Sequence, residues 1–130
     1  MLAYLALAVM TVGDGPIKGS AQAVKVSDTH LAHTAQVTDR SAHAVMKRLD
    51  KMLRPVGASL QQAVKINIAV AADGEVAAVE SALEKRYRGR NRPAVSLVRG
   101  TLPDGGRVAM DAVVVTPRVM PRTGEVGVLP

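Results

Sequence analysis

The sequence contains no cysteine, no phenylalanine and no tryptophan, and its two tyrosines are Tyr4 and Tyr87. The lack of cysteine excludes disulfides, thiolate nucleophiles and zinc or iron–sulfur sites built on cysteine. Because large aromatic rings are almost absent, small side chains such as Ala and Val must supply most of the 48% hydrophobic fraction. We therefore expect closely packed layers whose burial is extended by oligomerisation.

Long apolar runs are also lacking. The apolar opening stretch, Met1 to Met10, is too short to span a bilayer as a helix, so no membrane partner is expected. It resembles the apolar part of a signal peptide, but no Lys or Arg precedes it and no small-x-small cleavage site follows. We predict an N-terminal arm or strand over residues 1–18 and a cytoplasmic location, with export through residues 1–10 as the alternative.

Positive charge is in excess, with 17 Lys and Arg against 11 Asp and Glu. The net charge of +6 favours anionic partners without defining one. The densest run of cations covers residues 85–92, where Tyr87 fits the core better than a base-stacking role. Four candidate anion-binding residues lie there: Arg86, Arg88, Arg90 and Arg92. The run predicts either a solvated helix end, or contact with RNA or another anion or ion pairs between subunits.

Periodic patterns predict the order strand, strand, helix, strand, helix, strand, strand. Residues 20–26 and 29–37 fit a hairpin, and residues 94–99 and 108–115 fit another around the turn at 102–106. Between them, Asp39 is expected to cap a helix over residues 42–53, and alternation predicts a strand over residues 63–71. The apolar stripe of the first helix is Ala42, Val45, Met46, Leu49, Met52 and Leu53, and that of the second, ending near Gly89, is Val76, Val79, Leu83 and Tyr87.

This order predicts a mixed sheet backed by two helices, with a parallel strand-helix-strand crossover between antiparallel hairpins. One face of such a sheet has no cover within a single chain. Lys65, Asn67 and Asp111 alternate with small apolar residues on these strands, so we expect other subunits to bury that face in a closed ring. The proline-containing tail, residues 117–130, is expected to lie outside the sheet.

Several short strings occur in one order along the chain. They are Gln22-Ala23-Val24, Thr34-Ala35-Gln36, Gly57-Ala58-Ser59-Leu60, Val64-Lys65, Val70-Ala71, Arg92-Pro93-Ala94, Leu102-Pro103 and Met110-Asp111-Ala112. Their order and spacing resemble the RidA/YjgF superfamily, also called endoribonuclease L-PSP-like, whose best-known members hydrolyse enamines and imines. The resemblance implies an α+β, chorismate mutase-like domain over residues 19–116, and a homotrimer with inter-subunit clefts for small-molecule metabolites. The segment between Gln36 and Ala42 is short for the family, so one strand is expected to be missing or reduced.

The resemblance also implies a site that departs from the family pattern. In active members an arginine directly after the Pro-Ala pair holds the substrate carboxylate, and Val95 stands in that position. Asp111 matches the acid that orients water, although an interface acid is the other interpretation. Arg99 is the candidate replacement because it lies on a strand, on the same face as Val95 and two positions further along. The candidate ligand-binding residues are Ser20, Gln36, Val95 and Leu97, and the candidate catalytic residues are Asp111 and Arg99.

Neither a metal nor a cofactor is predicted. His30 and His33 face opposite sides of a strand and His43 belongs to a helix, so they do not form a shared site. The glycines at 105–106 lack the strand-to-helix context of a phosphate loop. We expect a divergent RidA-like protein that binds small metabolites, with weak or altered enamine/imine deaminase activity. The alternative is a non-enzymatic protein that binds RNA or another anion through the 85–92 loop.

Overall fold

The computed structural model describes residues 9–26, 30–88, 91–116 and 126–129, and gives only the backbone of residues 9–12, 26 and 126–129. These parts of the chain form eight strands and two α-helices. The elements are β1 (Val9–Asp14), β2 (Ala21–Val26), β3 (His30–Thr34), β4 (Val37–Asp39), α1 (Ala42–Leu53), β5 (Ala63–Val70), α2 (Val76–Arg86), β6 (Ala94–Arg99), β7 (Val108–Thr116) and β8 (Val126–Leu129).

The strands form one mixed sheet in the order β1-β2-β6-β5-β7-β3-β8, with β4 paired to β7. The passage from β5 through α2 to β6 is a parallel crossover, while β5 and β7 are antiparallel. The predicted α+β fold, a mixed sheet backed by two helices, is confirmed. No helix in the described ranges is long and apolar enough to cross a membrane.

Neither predicted hairpin forms. Among the described strands, β2 pairs with β1 and β6, whereas β3 pairs with β7 and β8. The closing pair, β6 and β7, is separated by β5, which hydrogen-bonds to both. The connection after β6 passes over the end of β5, where Gly100 N–H donates to the Val70 carbonyl and Ala71 N–H donates to the Arg107 carbonyl. Alternation and a turn signal identify two strands, but they do not show which strand lies beside which.

Two smaller differences and one agreement concern the segments that flank these strands. The tail was expected to lie outside the sheet, yet its residues 126–129 form β8 and pair with β3. The segment before α1 holds a strand of only three residues, β4, which agrees with the expected reduced strand. Ser41, not Asp39, caps α1, because its side chain accepts a hydrogen bond from Ala44 N–H while Asp39 is still paired in β4. Residues 1–8 of the predicted arm lie outside the described residues, and β1 covers Val9–Asp14.

The core lies between the helices and one face of the sheet. The predicted stripe of α1 is confirmed, since Val45, Leu49 and Leu53 are fully buried. On β5 the side chains of Ile66, Ile68 and Val70 point into this core, whereas alternate residues point to the other face. We refer to the two sides as the helix face and the open face of the sheet. Every candidate site residue on β5, β6 and β7 can be assigned to one of them.

Candidate functional site

Polar side chains of three adjacent strands meet on the open face. Lys65 Nζ donates to Ser96 Oγ at 2.6 Å, joining β5 to β6. Asn67 Nδ2 donates to Asp111 Oδ1 at 2.8 Å, joining β5 to β7. Asn67 is the direct cross-strand partner of both Ser96 and Asp111, so these three side chains form a row across the sheet. We call Lys65, Asn67, Ser96 and Asp111 the open-face cluster.

The open-face cluster keeps unused hydrogen-bonding capacity. Each of its two hydrogen bonds engages one atom per partner, which leaves the second carboxylate oxygen of Asp111, the amide oxygen of Asn67 and further N–H groups of Lys65. Neighbouring strands are about 4.8 Å apart, so the row from Ser96 to Asp111 spans about 9 to 10 Å. A small molecule that carries an anionic group and a hydrogen-bond donor matches this spacing and these charges.

The open face around the cluster is apolar and only partly covered. Val98, on β6, is 61% exposed. Ala69 and Val113 lie on the same face and are half-buried. Exposed apolar surface beside polar groups is typical of a surface that binds a ligand or another chain.

Val95 and Leu97 are on the helix face. Val95 is 6% exposed and belongs to the hydrophobic core, and Leu97 packs against that core. The parallel register pairs Val95 with the buried Ile66, which fixes its direction. Side chains in the core of the chain are not available to a ligand on the open face. The predicted ligand-binding positions on β6 therefore lie away from Asp111.

Arg99 and Asp111 are not brought together within the chain. Arg99 Nη1 lies 3.2 Å from Asp73 Oδ2, in an ion pair whose side chains are 63% and 82% exposed. It stands at the end of β6, opposite Val70, whereas Asp111 is opposite Asn67, three positions earlier on β5. The two side chains also leave the sheet on opposite faces. The shared face of Val95 and Arg99 was predicted correctly, but it is the helix face.

Ser20 and Gln36 lie apart from the open-face cluster. Ser20 is 1% exposed, and its hydroxyl donates to the Ile17 carbonyl at 2.6 Å. It lines an open pocket of about 460 Å³ between the 14–20 loop and α2. Gln36 is exposed between β3 and β4.

Two arginines of the basic 85–92 segment pair with acids of the same chain. Arg86 Nη1 lies 2.8 Å from Asp50 Oδ2, and Arg92 Nη1 lies 2.9 Å from Asp14 Oδ1. Arg88 is exposed, and Arg90 lies outside the described residues. The prediction that Tyr87 belongs to the core is confirmed, because it is 2% exposed. Burial raises the pKa of Tyr87 above its usual range, and its hydroxyl donates to the Leu60 carbonyl.

Sequence patterns gave a partial signal for the open-face cluster. Alternation on β5 places Lys65 and Asn67 on the side away from the core, together with Asp111. The contact of Asn67 with Asp111 depends on β7 lying beside β5, which the predicted hairpin of β6 and β7 did not provide. Across the described ranges, no group of three or more His, Asp or Glu side chains could hold a metal ion.

Solved structures share this architecture. The Rid-family protein YyfB from Yersinia pestis superposes with a TM-score of 0.71 at 16% identity, over 84% of this chain and 99% of that chain. A YjgF-family member from Neisseria meningitidis has a TM-score of 0.62 at 17% identity, covering 85% and 97%. Yeast Mmf1 has a TM-score of 0.60 at 21% identity, covering 82% and 98%. The sequence matches no protein-family model and no curated protein. The chain thus has the Rid/YjgF fold.

Proposed function

We propose that the chain is a divergent Rid/YjgF protein that binds a small metabolite at the open-face cluster, in a cleft completed by other subunits of a homotrimer. The observation that carries this proposal is the pair of contacts Lys65–Ser96 and Asn67–Asp111 on a sheet face that the helices do not cover. Burial of these polar groups between subunits is unfavourable in free energy unless each group forms a hydrogen bond there. A ligand with complementary groups supplies the partners for these hydrogen bonds.

Each member of the cluster has a role in this proposal. Lys65 attracts the carboxylate of the ligand as a point charge, where active relatives of the family use a bidentate arginine. Asn67 holds the Asp111 carboxylate in position through its 2.8 Å hydrogen bond. The second oxygen of Asp111 accepts a proton from water as the water oxygen attacks an imine carbon. The Asp111 carboxyl gives this proton to the imine nitrogen. The hydroxyl proton of the resulting carbinolamine then moves to the same nitrogen as the carbon–nitrogen bond breaks, which releases ammonia and leaves the keto group of a ketoacid. Because an aspartate and a lysine replace the usual glutamate and arginine, we expect this hydrolysis to be slow.

Removal of the Asp111 charge is expected to abolish most of any hydrolysis. The protein is incubated with an enamine generated from serine or threonine, and ketoacid release is followed against buffer. Asp111→Asn preserves size and the hydrogen bond to Asn67 but removes the base, so the rate falls by about tenfold or more. Arg99→Ala is the matched control, because Arg99 pairs with Asp73 at an exposed site and its loss leaves the rate unchanged. A wild-type rate equal to that in buffer would eliminate the deaminase activity.

The homotrimer is the second element of the proposal. Val98 is 61% exposed on the open face, and burial of this apolar surface favours association. The expected particle mass in sedimentation equilibrium is three times the 13.6 kDa of one chain. Val98→Asp adds a charge to the proposed contact and shifts the mass toward one chain. A wild-type protein that stays monomeric at all concentrations contradicts an inter-subunit cleft.

The alternative function, binding of RNA through the 85–92 loop, receives no support from a specific observation. Arg86 and Arg92 each contact an acid of the same chain. Their pairing reduces the positive charge that this loop presents to a partner.

A further inference from the structure

We infer that the exposed side of α1 binds the phosphate backbone of duplex nucleic acid without sequence preference. This surface, the basic face, consists of Lys47, Arg48, Lys51 and Arg54, all of which are exposed. Lys47, Lys51 and Arg54 follow one another at spacings of four and three residues, which places them along one side of the helix. At 1.5 Å per residue they extend over about 10 Å.

The basic face has almost no acid to neutralise it. Asp50, the acid of α1, is directed toward α2, where it pairs with Arg86 and accepts a hydrogen bond from Leu60 N–H. Asp39 forms an ion pair with Arg48, at 3.4 Å. Within the described part of the chain, Lys47, Lys51 and Arg54 form no ion pair with an acid. The helix α2, by contrast, carries Glu80 and Glu84 as well as cations.

In the chain alone, the electrostatic energy of the basic face is unfavourable. Like charges at spacings of three and four residues repel one another, as at Lys47–Lys51 and Lys51–Arg54. The helix dipole favours cations only in the last turn, so it compensates for Lys51 and Arg54 but not for Lys47. A linear polyanion lying along the helix would convert this repulsion into attraction.

Duplex nucleic acid fits the basic face better than other polyanionic surfaces. Insertion into a membrane surface requires an apolar helix side, and that of α1 is buried in the core. Tight binding of single strands relies on aromatic side chains that stack on bases, and Tyr87, the tyrosine within the described ranges, is buried. Duplex DNA has the higher charge density, about one phosphate charge per 1.7 Å of axis. The basic face also lies on the opposite side of the sheet from the open-face cluster, so this inference does not depend on the proposed ligand site.

Salt-dependent binding tests the inference. The affinity of the full chain for a mixed-sequence DNA duplex, and for one of its single strands, is measured by fluorescence anisotropy over a range of salt concentrations. Four phosphate contacts predict a slope of about −3 to −4 in log affinity against log salt, with the duplex bound more tightly than the strand. The variant Lys47→Gln/Arg48→Gln/Lys51→Gln/Arg54→Gln is expected to bind at least about tenfold more weakly at low salt, with a slope near zero.

A matched variant distinguishes binding at the basic face from general attraction by the net positive charge of the chain. Lys85→Gln/Arg88→Gln/Arg99→Gln/Arg107→Gln removes the same number of cations from exposed sites elsewhere and is expected to retain the wild-type slope. Equal losses in the two variants overturn the inference, because they indicate general attraction. Binding to phosphatidylserine vesicles but not to the duplex also overturns it, in favour of a membrane. If the fourfold variant does not fold, Lys47→Gln alone must reduce the slope by about one.

Discussion

Val95→Arg is expected to lower the free energy of unfolding by more than about 3 kcal/mol and to leave ketoacid formation no higher than in the wild type. The substitution restores the residue that the family pattern places directly after the Pro-Ala pair. Val95 is 6% exposed, however, and its cross-strand partner Ile66 is fully buried. A guanidinium at this position enters the core beneath the helices without an acid to pair with, so its charge is desolvated and uncompensated.

The control for this prediction is Val95→Met, which is unbranched like the stem of arginine and carries no charge. It measures the cost of overpacking alone, expected at about 1 to 2 kcal/mol, and the remainder of the arginine effect is the cost of the charge. Both values are obtained from urea unfolding followed by circular dichroism. A Val95→Arg protein that is as stable as the wild type and hydrolyses imines faster would show that β6 presents Val95 to the ligand.

The fold was predictable because its periodic signals are strong. The alternation of β5 and the stripe of α1 depend on one side of each element being buried, and a local sequence records this directly. The local sequence does not show in the same way which strands lie side by side in the sheet. The short turn between β6 and β7 suggested a hairpin, yet β5 separates them and hydrogen-bonds to both strands. Parallel pairing of β5 with β6 satisfies the crossover through α2, but it leaves open which edge of this pair β7 joins. In the structure β7 pairs with β5.

The order of the strands also explains the outcome at the candidate site. Asp111 was assigned from its place in the family pattern, and alternation correctly placed it on the side away from the core. Its contact with Asn67 requires β7 to lie beside β5, so a hairpin of β6 and β7 could not reveal it. Arg99 was considered as a partner from its strand face alone. Its actual neighbour is Asp73, in the turn after β5, and only the position of that turn makes the pairing possible.

Tyr87 is the buried aromatic residue within the described ranges, in a chain that has few aromatic residues. Tyr87→Ala is expected to lower the free energy of unfolding by about 3 to 5 kcal/mol, because the ring is 2% exposed and its removal leaves a cavity beside α2. The loss also leaves the Leu60 carbonyl without the tyrosine hydroxyl. Tyr87→Phe is the matched control, since it keeps the ring and removes only the hydrogen bond, at a cost of about 1 kcal/mol.

At alkaline pH the effect of the Tyr87 hydroxyl on stability can be distinguished from the effect of its ring. Burial is the main cause of the raised pKa of Tyr87, so the folded state keeps the phenol neutral where the unfolded state, with a pKa of about 10, loses its proton. The contribution of the neutral Tyr87 phenol to the free energy of unfolding is thus fully present below pH 10. Above pH 10 it declines by about 1.4 kcal/mol per pH unit. Tyr87→Phe lacks this decline, so the stability difference between the two proteins shrinks and then reverses as the pH approaches 11. Urea unfolding of both proteins from pH 8 to 11 measures this directly, because the two sequences differ only in the hydroxyl of residue 87. Parallel stability curves over that range would mean that the Tyr87 hydroxyl is exposed to solvent.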